Sequence, residues 1–234
     1  MPSKGEINRS GAVLRRLWLG DAEDVDGDTL VSALDALREF RKGHQNPMKK
    51  TAVGVRQFVG YEAQTIIVAQ RLKRVPQIIH KLGRMPDTML ARMEDIGGCR
   101  AVLADRTEID GVLLRINKNW DVKRERDYIA EPKSSGYRGV HVVIERDAHR
   151  IEIQLRTRGQ QDWANTVERW AGRYRIGLKD EQGPDEVLEW FRLAGEGIAH
   201  DELGEPLRSG FATDMREARR RVVRWLSERD GSTE

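Results

Sequence analysis

Helical spacing of apolar residues marks the first third of the chain. One amphipathic helix is predicted from residue 29 to Gly43, with Asn46-Pro47 after it, and a second from about Met48 to Leu72. The residues assigned to the buried faces are Leu30, Leu34, Leu37 and Phe40 in the first helix and Val55, Val59, Ile66 and Ile67 in the second. Residues 1–28 are polar and rich in Gly and Asp, so we expect a poorly packed arm or one short helix there.

The middle of the chain mixes helical and strand patterns. "QIIHKLGRM" predicts a helix closed by Gly83, and "EIDGVLLRINKNW" predicts another. "CRAVLAD" reads as a strand buried on both faces, while "YRGVHVVIER" and "RIEIQLRT" predict two strands joined by the turn "DAHR". Helical spacing returns after residue 158, where Trp163, Val167 and Trp170 share a face. The layout predicts one α+β (mixed) domain with a small, mainly antiparallel sheet flanked by helices.

Composition narrows the class of protein. The 38% hydrophobic and 34% charged residues are typical of a soluble protein with a modest core. No apolar run approaches the length of a membrane span, and the N-terminus lacks the apolar segment of a secretory signal. Cys99 is the single cysteine, which excludes an intramolecular disulfide. We expect a cytoplasmic protein without a membrane partner.

Two segments concentrate positive charge, although the net charge is only +3. They are "RINKNWDVKRER" (115–126) and "REARRRVVRW" (216–225). Such clusters attract the phosphates of nucleotides or nucleic acids, but a run of charge is more often a solvated face.

The two predicted strands of residues 137–157 carry the densest candidate chemistry. The strand period of two separates Ile151, Ile153 and Leu155 from a second face, which holds Glu152, Gln154 and Arg156. Tyr137, Gly139 and His141 likewise share a face of the preceding strand. The alternation alone favours an ordinary half-exposed hairpin over a concave site.

Asp95 and three upstream cations form the other candidate groups. Asp95 precedes Gly97-Gly98, where the backbone can approach a ligand or another element closely. A carboxylate there suits Mg²⁺ but also suits a turn cap. Arg71, Lys73 and Lys81 have the spacing to surround a triphosphate, with ordinary helical surface charge as the alternative.

Several common chemistries lack their sequence signature. The chain contains no G-x-x-x-x-G-K-[ST] or G-x-G-x-x-G segment. Its five histidines form no His-x-x-x-His pair, and neither Ser134-Ser135 nor Cys99 has the context of a nucleophile.

Four motifs in order resemble the synthetase domain of the RelA/SpoT family, the ATP-dependent pyrophosphokinases that make ppGpp and pppGpp. They are "RLKRVPQIIHKL", "DIGGCRAVL", "DYIAEPKSSGYRGVH" and "IEIQLRT" followed by "QQDWANTVE". The resemblance covers Arg71 to about Trp170. It implies a nucleotidyltransferase-like fold and transfer of pyrophosphate from ATP to a ribose 3′-hydroxyl.

The resemblance also implies a role for each matching residue. Asp95 and Glu152 are the expected catalytic residues and Mg²⁺ ligands, and Glu152 also takes the hydroxyl proton. Tyr137 is expected to stack on the acceptor base. The ATP-binding residues implied are Arg71, Lys73, Lys81 and Arg100, and the other acceptor-binding residues are Lys133, His141, Arg124, Arg126, Ser135 and Gln154.

The acceptor stays open at this point. GTP or GDP is the default, but Gln77, Ser135 and the pair Glu168-Arg169 depart from the usual pattern of the family. "LREFRKGHQNPM" is similar to a motif of toxin-type synthetases, with Phe40 for its Trp, which suggests tRNA or adenine nucleotides as acceptors and an antitoxin partner. An inactive nucleotide or RNA sensor is the alternative outside enzymes.

The resemblance further predicts the organisation of the chain. We expect a pyrophosphokinase domain over 29–200 and a C-terminal helical extension over 201–234. Whether the protein forms a homo-oligomer is left open.

Overall fold

A computed structural model describes residues 2–60, 67–178 and 181–230. Its helices are α1 (Lys4–Leu19), α2 (Gly27–Gly43), α3 (Gln45–Val59), α4 (Val75–Arg84), α5 (Arg106–Asn119), α6 (Arg158–Tyr174), α7 (Asp185–Leu203) and α8 (Phe211–Asp230). Its strands are β1 (Ile67–Leu72), β2 (Gly97–Leu103), β3 (Val122–Asp127), β4 (Val140–Arg146) and β5 (His149–Thr157). A 3-10 turn covers Leu90–Arg92.

The structure divides into two compact units. The first unit comprises Met1–Ala101, Asp110–Glu125 and His141–Gln154. The second comprises Val102–Ile109, Arg126–Val140 and Leu155–Glu234. The predicted domain boundaries at 29 and 200 stay a prediction.

Helix α1 is a structural part of the first unit. Ser3 and Glu6 form a capping box that satisfies the first N–H groups of the helix. Ile7 and Leu14 are buried in a core that also includes Leu37 of α2 and Leu82 of α4. Of the two alternatives expected for residues 1–28, a helix is therefore present and a poorly packed arm is not. An apolar face within a polar sequence is enough to bury one side of a helix.

The predicted helix from Met48 to Leu72 is two different elements. Helix α3 ends at Val59, and Gly60 follows with a φ of 88° that a helix cannot continue. Strand β1 then begins at Ile67, so the helical prediction for its sequence is wrong. β-Branched residues favour a strand there, and Ile66 lies outside the described residues.

The five strands form one sheet in the order β1-β2-β5-β4-β3. Asp147 and Ala148, with φ values of 50° and 60°, make the tight turn between β4 and β5. β3 pairs antiparallel with β4, since Tyr128 N donates to Gly139 O and Glu145 N donates to Asp121 O. The mixed α+β fold with a small sheet is confirmed.

Burial along β5 follows the predicted alternation as far as Leu155. Ile151 and Ile153 of β5 are fully buried and Glu152 between them is half-buried, as predicted. Arg156 is only 6% exposed although the alternation assigned it to the open face. β2 buries alternate residues, so the prediction that both of its faces are buried is wrong.

Helices α6, α7 and α8 build the core of the second unit. The predicted face of α6 is confirmed, because Trp163, Val167 and Trp170 all contribute to one cluster with Phe191 of α7 and Val222 of α8. Thr157 and Gln160 form a capping box at the start of α6. Among the described residues, no helix has the length and apolar character needed to cross a membrane.

Candidate active site

Asp95 is the centre of an ionic cluster in the first unit. It lies just before β2, Lys73 follows β1, and Lys81 lies on α4. Lys73 Nζ is 2.7 Å from Asp95 Oδ2, and Lys81 Nζ is 2.9 Å from Oδ1. Side-chain exposures of 21% for Lys73 and Asp95 and 27% for Lys81 leave all three reachable from solvent. Two of the three predicted ATP-binding cations therefore converge on the predicted catalytic aspartate.

Burial and charge oppose each other at Asp95. Burial by itself would raise the pKa of Asp95, but the attraction of Lys73 and Lys81 outweighs it, and the pKa is lowered. Each carboxylate oxygen of Asp95 therefore has one ammonium group beside it, Lys73 at Oδ2 and Lys81 at Oδ1. The lowered pKa means that the carboxylate is ionised at neutral pH.

Glu152 of β5 is held by two side chains of the same unit. His141 Nδ1 of β4 lies 2.9 Å from Glu152 Oε1, and Gln154 Nε2 donates to Oε2 at 2.8 Å. Side-chain exposures of 18% for His141 and Glu152 place the group at a partly covered surface of the sheet. The resemblance assigned His141 and Gln154 to the acceptor, but here both orient the carboxylate.

The pKa of Glu152 is lowered despite its burial. Burial is the strongest influence and would raise this pKa, but the hydrogen bond and attraction from His141, with the Gln154 bond, outweigh it. The negative charge of Asp95 acts in the raising direction. The charge of one predicted metal ligand, Asp95, therefore acts on the other, Glu152.

Gly97 and Gly98 allow the strands around Asp95 and Glu152 to approach closely. A Cβ atom on Gly98 would lie 3.0 Å from the carbonyl oxygen of Glu152. A Cβ atom on Gly97 would lie 3.1 Å from Cβ of His44. The predicted close approach is confirmed as one between protein elements.

Asp95 and Glu152 fit Mg²⁺ in number and in kind. Across 2–60, 67–178 and 181–230, no three His, Cys, Asp or Glu residues are grouped to hold a metal by themselves. Mg²⁺ usually takes only one or two carboxylates and completes its shell with water and phosphate oxygens. Two ionised carboxylates whose charges act on each other suit that pattern.

The remaining predicted residues of the first unit have protein partners. Arg71 donates to Gln77, and Arg100 lies half-buried on β2. Arg124 pairs with Glu94, which also pairs with Arg150.

Tyr137 belongs to the second unit, where Arg156 holds its hydroxyl. The guanidinium donates to Tyr137 Oη from Nη2 at 2.8 Å and from Nε at 3.2 Å. Nη1 of Arg156 donates to Gln161 at 3.1 Å. These bonds satisfy a buried charge, which explains why Arg156 departs from the alternation of β5.

The loop before Tyr137 rests on α7. A Cβ atom on Gly195 would lie 2.3 Å from the carbonyl oxygen of Gly136, so the two backbones are in direct contact. Lys133 Nζ lies 5.4 Å from the ring centroid of Tyr137. Ser135 is half-buried, and Arg126 on β3 is exposed. Among the predicted acceptor residues, these four form the group in the second unit.

Sequence reasoning missed residues that act through long-range contacts. Glu94 precedes Asp95 and joins two arginines, and Arg41 Nε donates to the carbonyl oxygen of Lys73 at 2.7 Å. The only sequence feature that could have indicated a role for Glu94 is its position directly before the motif "DIGGCRAVL". A bond to a backbone carbonyl leaves no signal in the sequence of the acceptor residue.

The comparisons with known proteins agree with the motifs. Residues 70–176 match the family model described as "Region found in RelA / SpoT proteins". The GTP pyrophosphokinase YjbM of Bacillus subtilis is 34% identical over 136 residues, which are 52% of this chain and 64% of that protein. An uncharacterized protein of Mycobacterium tuberculosis is 30% identical over 131 residues, 54% of this chain and 47% of that one. The matches thus span about half to two thirds of these curated relatives.

A solved structure supports the same likeness in three dimensions. The small alarmone synthetase 1 of Bacillus subtilis bound to its product pppGpp superposes with a TM-score of 0.57 at 27% identity. The match covers 70% of this chain and 90% of that one. The resemblance derived from the four motifs is confirmed.

Proposed function

We propose that this chain, whose residues 70–176 match the RelA/SpoT family model, is an ATP-dependent pyrophosphokinase. The acceptor is GTP or GDP, and the products are a 3′-pyrophosphorylated guanine nucleotide and AMP. The observation that carries the proposal is the pairing of Asp95 with Lys73 and Lys81 in the unit that also holds Glu152.

The proposed reaction is an in-line displacement at the β-phosphorus of ATP. The 3′-oxygen of the acceptor ribose attacks that phosphorus, the bond from the β-phosphorus to the α,β-bridging oxygen breaks, and AMP leaves. Glu152 takes the proton of the attacking hydroxyl. Its lowered pKa keeps it ionised at neutral pH, and His141 and Gln154 fix its orientation.

The lysine pairs offer a way to bind the triphosphate. Lys73 and Lys81 share one carboxylate in the absence of ATP, and phosphate oxygens compete for both ammonium groups. When the two lysines pair with phosphate oxygens instead of Asp95, Asp95 and Glu152 are left to hold Mg²⁺. The ion, when bound, would neutralise the negative charge that develops on the phosphates. Arg71 and Arg100 complete the proposed ATP side.

Tyr137 supports the assignment of a nucleotide acceptor. Arg156 anchors its hydroxyl and leaves base stacking as the role of the ring. Lys133, with its Nζ 5.4 Å from the centroid of the Tyr137 ring, and Ser135 of the same loop are proposed to bind the acceptor. Arg124 and Arg126 are the other arginines assigned to it. The relatives named GTP pyrophosphokinase favour a guanine base.

The surface of α8 favours tRNA as the second candidate acceptor. Six of its arginines are exposed, and they are Arg216, Arg219, Arg220, Arg221, Arg224 and Arg229. A helix with so much exposed positive charge suits the phosphate backbone of a nucleic acid. The other cluster, 115–126, gives weaker support, because Lys123 pairs with Asp121 and Arg124 pairs with Glu94.

Transfer of label from γ-labelled ATP tests the acceptor directly. The protein is incubated with Mg²⁺ and with GTP, GDP, ATP, AMP or deacylated tRNA in turn, and the products are separated by chromatography and on gels. Label on a guanine nucleotide is the expected result. Label on tRNA or on an adenine nucleotide alone would replace the proposed acceptor, and absence of transfer to every acceptor would refute the enzyme.

A further inference from the structure

Two arginines from the segment before residue 70 bind the backbone beside the two lysines of the Asp95 cluster. Arg41 of α2 donates from Nε to the carbonyl oxygen of Lys73 at 2.7 Å. Arg15 of α1 donates from Nε at 2.8 Å to the carbonyl oxygen of Leu82, the residue after Lys81. Both arginines lie outside the matched RelA/SpoT region, and both contacts lie within the first unit.

Helix α4, which carries Lys81, has little support of its own. It has ten residues, and Arg74 at its N-cap makes no side-chain capping bond. A helix this short is marginal without tertiary contacts. Its buried residues Ile78 and Leu82 pack in the same core as Leu14 of α1, so α1 provides part of the support that α4 lacks.

Arg15 satisfies carbonyl groups at and beyond the C-terminal end of α4. Besides Leu82, its Nη2 donates to the carbonyl oxygens of Met85, at 3.4 Å, and of Thr88. The last carbonyls of a helix lack intrahelical donors and carry partial negative charge. A guanidinium at that end therefore fixes both the position of the helix and the course of the chain that leaves it.

Trp18, also on α1, makes a second close contact near the same end of α4, with Gly83. A Cβ atom on Gly83 would lie 2.2 Å from the ring of Trp18, so α1 approaches α4 as closely as glycine allows. The ring of His80, also on α4, lies edge-on to Trp18 with centroids 5.6 Å apart.

We propose that Arg15 and Arg41 are positioning residues that set Lys81 and Lys73 for the triphosphate of ATP. The inference rests on the proposed function, since it takes those lysines as the ATP-binding cations. Arg41 fixes the backbone of Lys73 directly. Arg15, with the Trp18 contact, fixes the helix that carries Lys81. Neither arginine touches substrate in this account, so each acts only through the lysine that it positions.

Steady-state kinetics of Arg15→Ala and Arg41→Ala test the proposal. Each variant loses hydrogen bonds from a charged donor, and we expect KM for ATP to rise about tenfold. The KM for the acceptor and kcat at saturating ATP should stay near those of the unchanged protein. A merely structural role would instead lower the active fraction, and therefore kcat, without changing either KM.

Matched controls exist on the same two helices. Arg16→Ala removes the neighbouring arginine of α1, which binds Asp21 and Asp24 rather than α4. Arg38→Ala removes an arginine of α2 that is paired with Asp35. Both controls should leave KM for ATP unchanged, and a rise as large as that of Arg15→Ala or Arg41→Ala would overturn the proposal.

The Trp18 contact gives a second test that keeps Arg15 in place. Gly83→Ala introduces the steric clash and should raise KM for ATP. The double variant Gly83→Ala with Trp18→Ala has room for the methyl group and keeps the bonds of Arg15, so its KM for ATP should recover to that of Trp18→Ala alone. The test applies even if Arg15→Ala does not fold. Recovery supports the proposal, and an unchanged KM for ATP in the folded Gly83→Ala variant contradicts it.

Failure of the inference differs from failure of the proposed function. Normal transfer with an unchanged KM for ATP in the arginine variants overturns the positioning role alone. Absence of transfer in the unchanged protein overturns the function on which that role rests.

Discussion

His141 Nδ1 lies 2.9 Å from Glu152 Oε1 across the β4–β5 hairpin. The imidazole holds one oxygen of the carboxylate while Gln154 holds the other. This arrangement gives an ionised carboxylate with a fixed orientation on a half-buried strand face. Glu152 differs in this from an ordinary surface ion pair, which is exposed and has a single partner.

Glu152→Gln should abolish transfer and leave the fold intact. The amide occupies nearly the same volume but cannot take the hydroxyl proton, and general-base contributions are about a hundredfold or more. Transfer rates and urea unfolding measure the two effects separately. Glu145→Gln on β4 is the control, because Glu145 is an exposed carboxylate whose contact with Lys123 is long, at 4.0 Å. Full activity of Glu152→Gln would show that the base is misassigned.

His141→Ala should move the acid limb of the pH profile to higher pH. Burial would raise the pKa of Glu152, and it is His141 that chiefly outweighs burial. Without His141 the pKa of Glu152 rises, so the base becomes protonated at a higher pH than in the unchanged protein. Gln154→Ala should shift the profile in the same direction by less, since it removes only a neutral hydrogen bond. The measurement is kcat/KM against pH, and an unmoved acid limb in His141→Ala would contradict the role.

Asp95→Asn should lower stability at neutral pH by about 1–3 kcal/mol, between the values for exposed and buried ion pairs. The folded pKa of Asp95 lies below its ordinary 3.8. Its contribution to stability is therefore present above that value and is lost as the pH falls through the folded pKa. Urea unfolding at several pH values measures the difference, which should shrink in acid. Asp35→Asn, in an exposed pair with Arg38, is the control and should change stability little.

Two substitutions of Tyr137 separate its ring from its hydroxyl. Tyr137→Ala should weaken acceptor use by about 1–3 kcal/mol if base stacking is its role. Tyr137→Phe keeps the ring but leaves the buried Arg156 without this partner, so it should lower the free energy of unfolding by about 1–3 kcal/mol with less effect on the acceptor. Acceptor KM and urea unfolding distinguish the two. An unchanged acceptor KM in Tyr137→Ala would exclude stacking.

The sequence predicted best what depends on local pattern. The alternation of β5 predicts Ile151 and Ile153 in the core and Glu152 on the other face, and the structure agrees. The ordered motifs predict Asp95 as a metal ligand and Lys73 and Lys81 as ATP-binding cations, and these roles stay a prediction. The structure brings the three side chains together as ion pairs, which the motifs did not predict.

The sequence failed where tertiary contacts override local preference. β3 went unpredicted because "VKRERD" is an exposed edge strand that has no apolar alternation. Arg156 is buried because Tyr137 and Gln161 satisfy it, and neither is a sequence neighbour. Arg15 and Arg41 donate to backbone carbonyl groups. Because every residue has such a group, no sequence pattern predicts these two bonds.

The most direct test of the central claim is the product balance of one reaction. The protein is incubated with ATP, GTP and Mg²⁺, and every nucleotide is identified by mass spectrometry. We predict AMP and pyrophosphorylated GTP in equal amounts, with no product in a parallel reaction of Glu152→Gln. Formation of ADP with singly phosphorylated acceptor, or no change in any acceptor offered, would contradict the account.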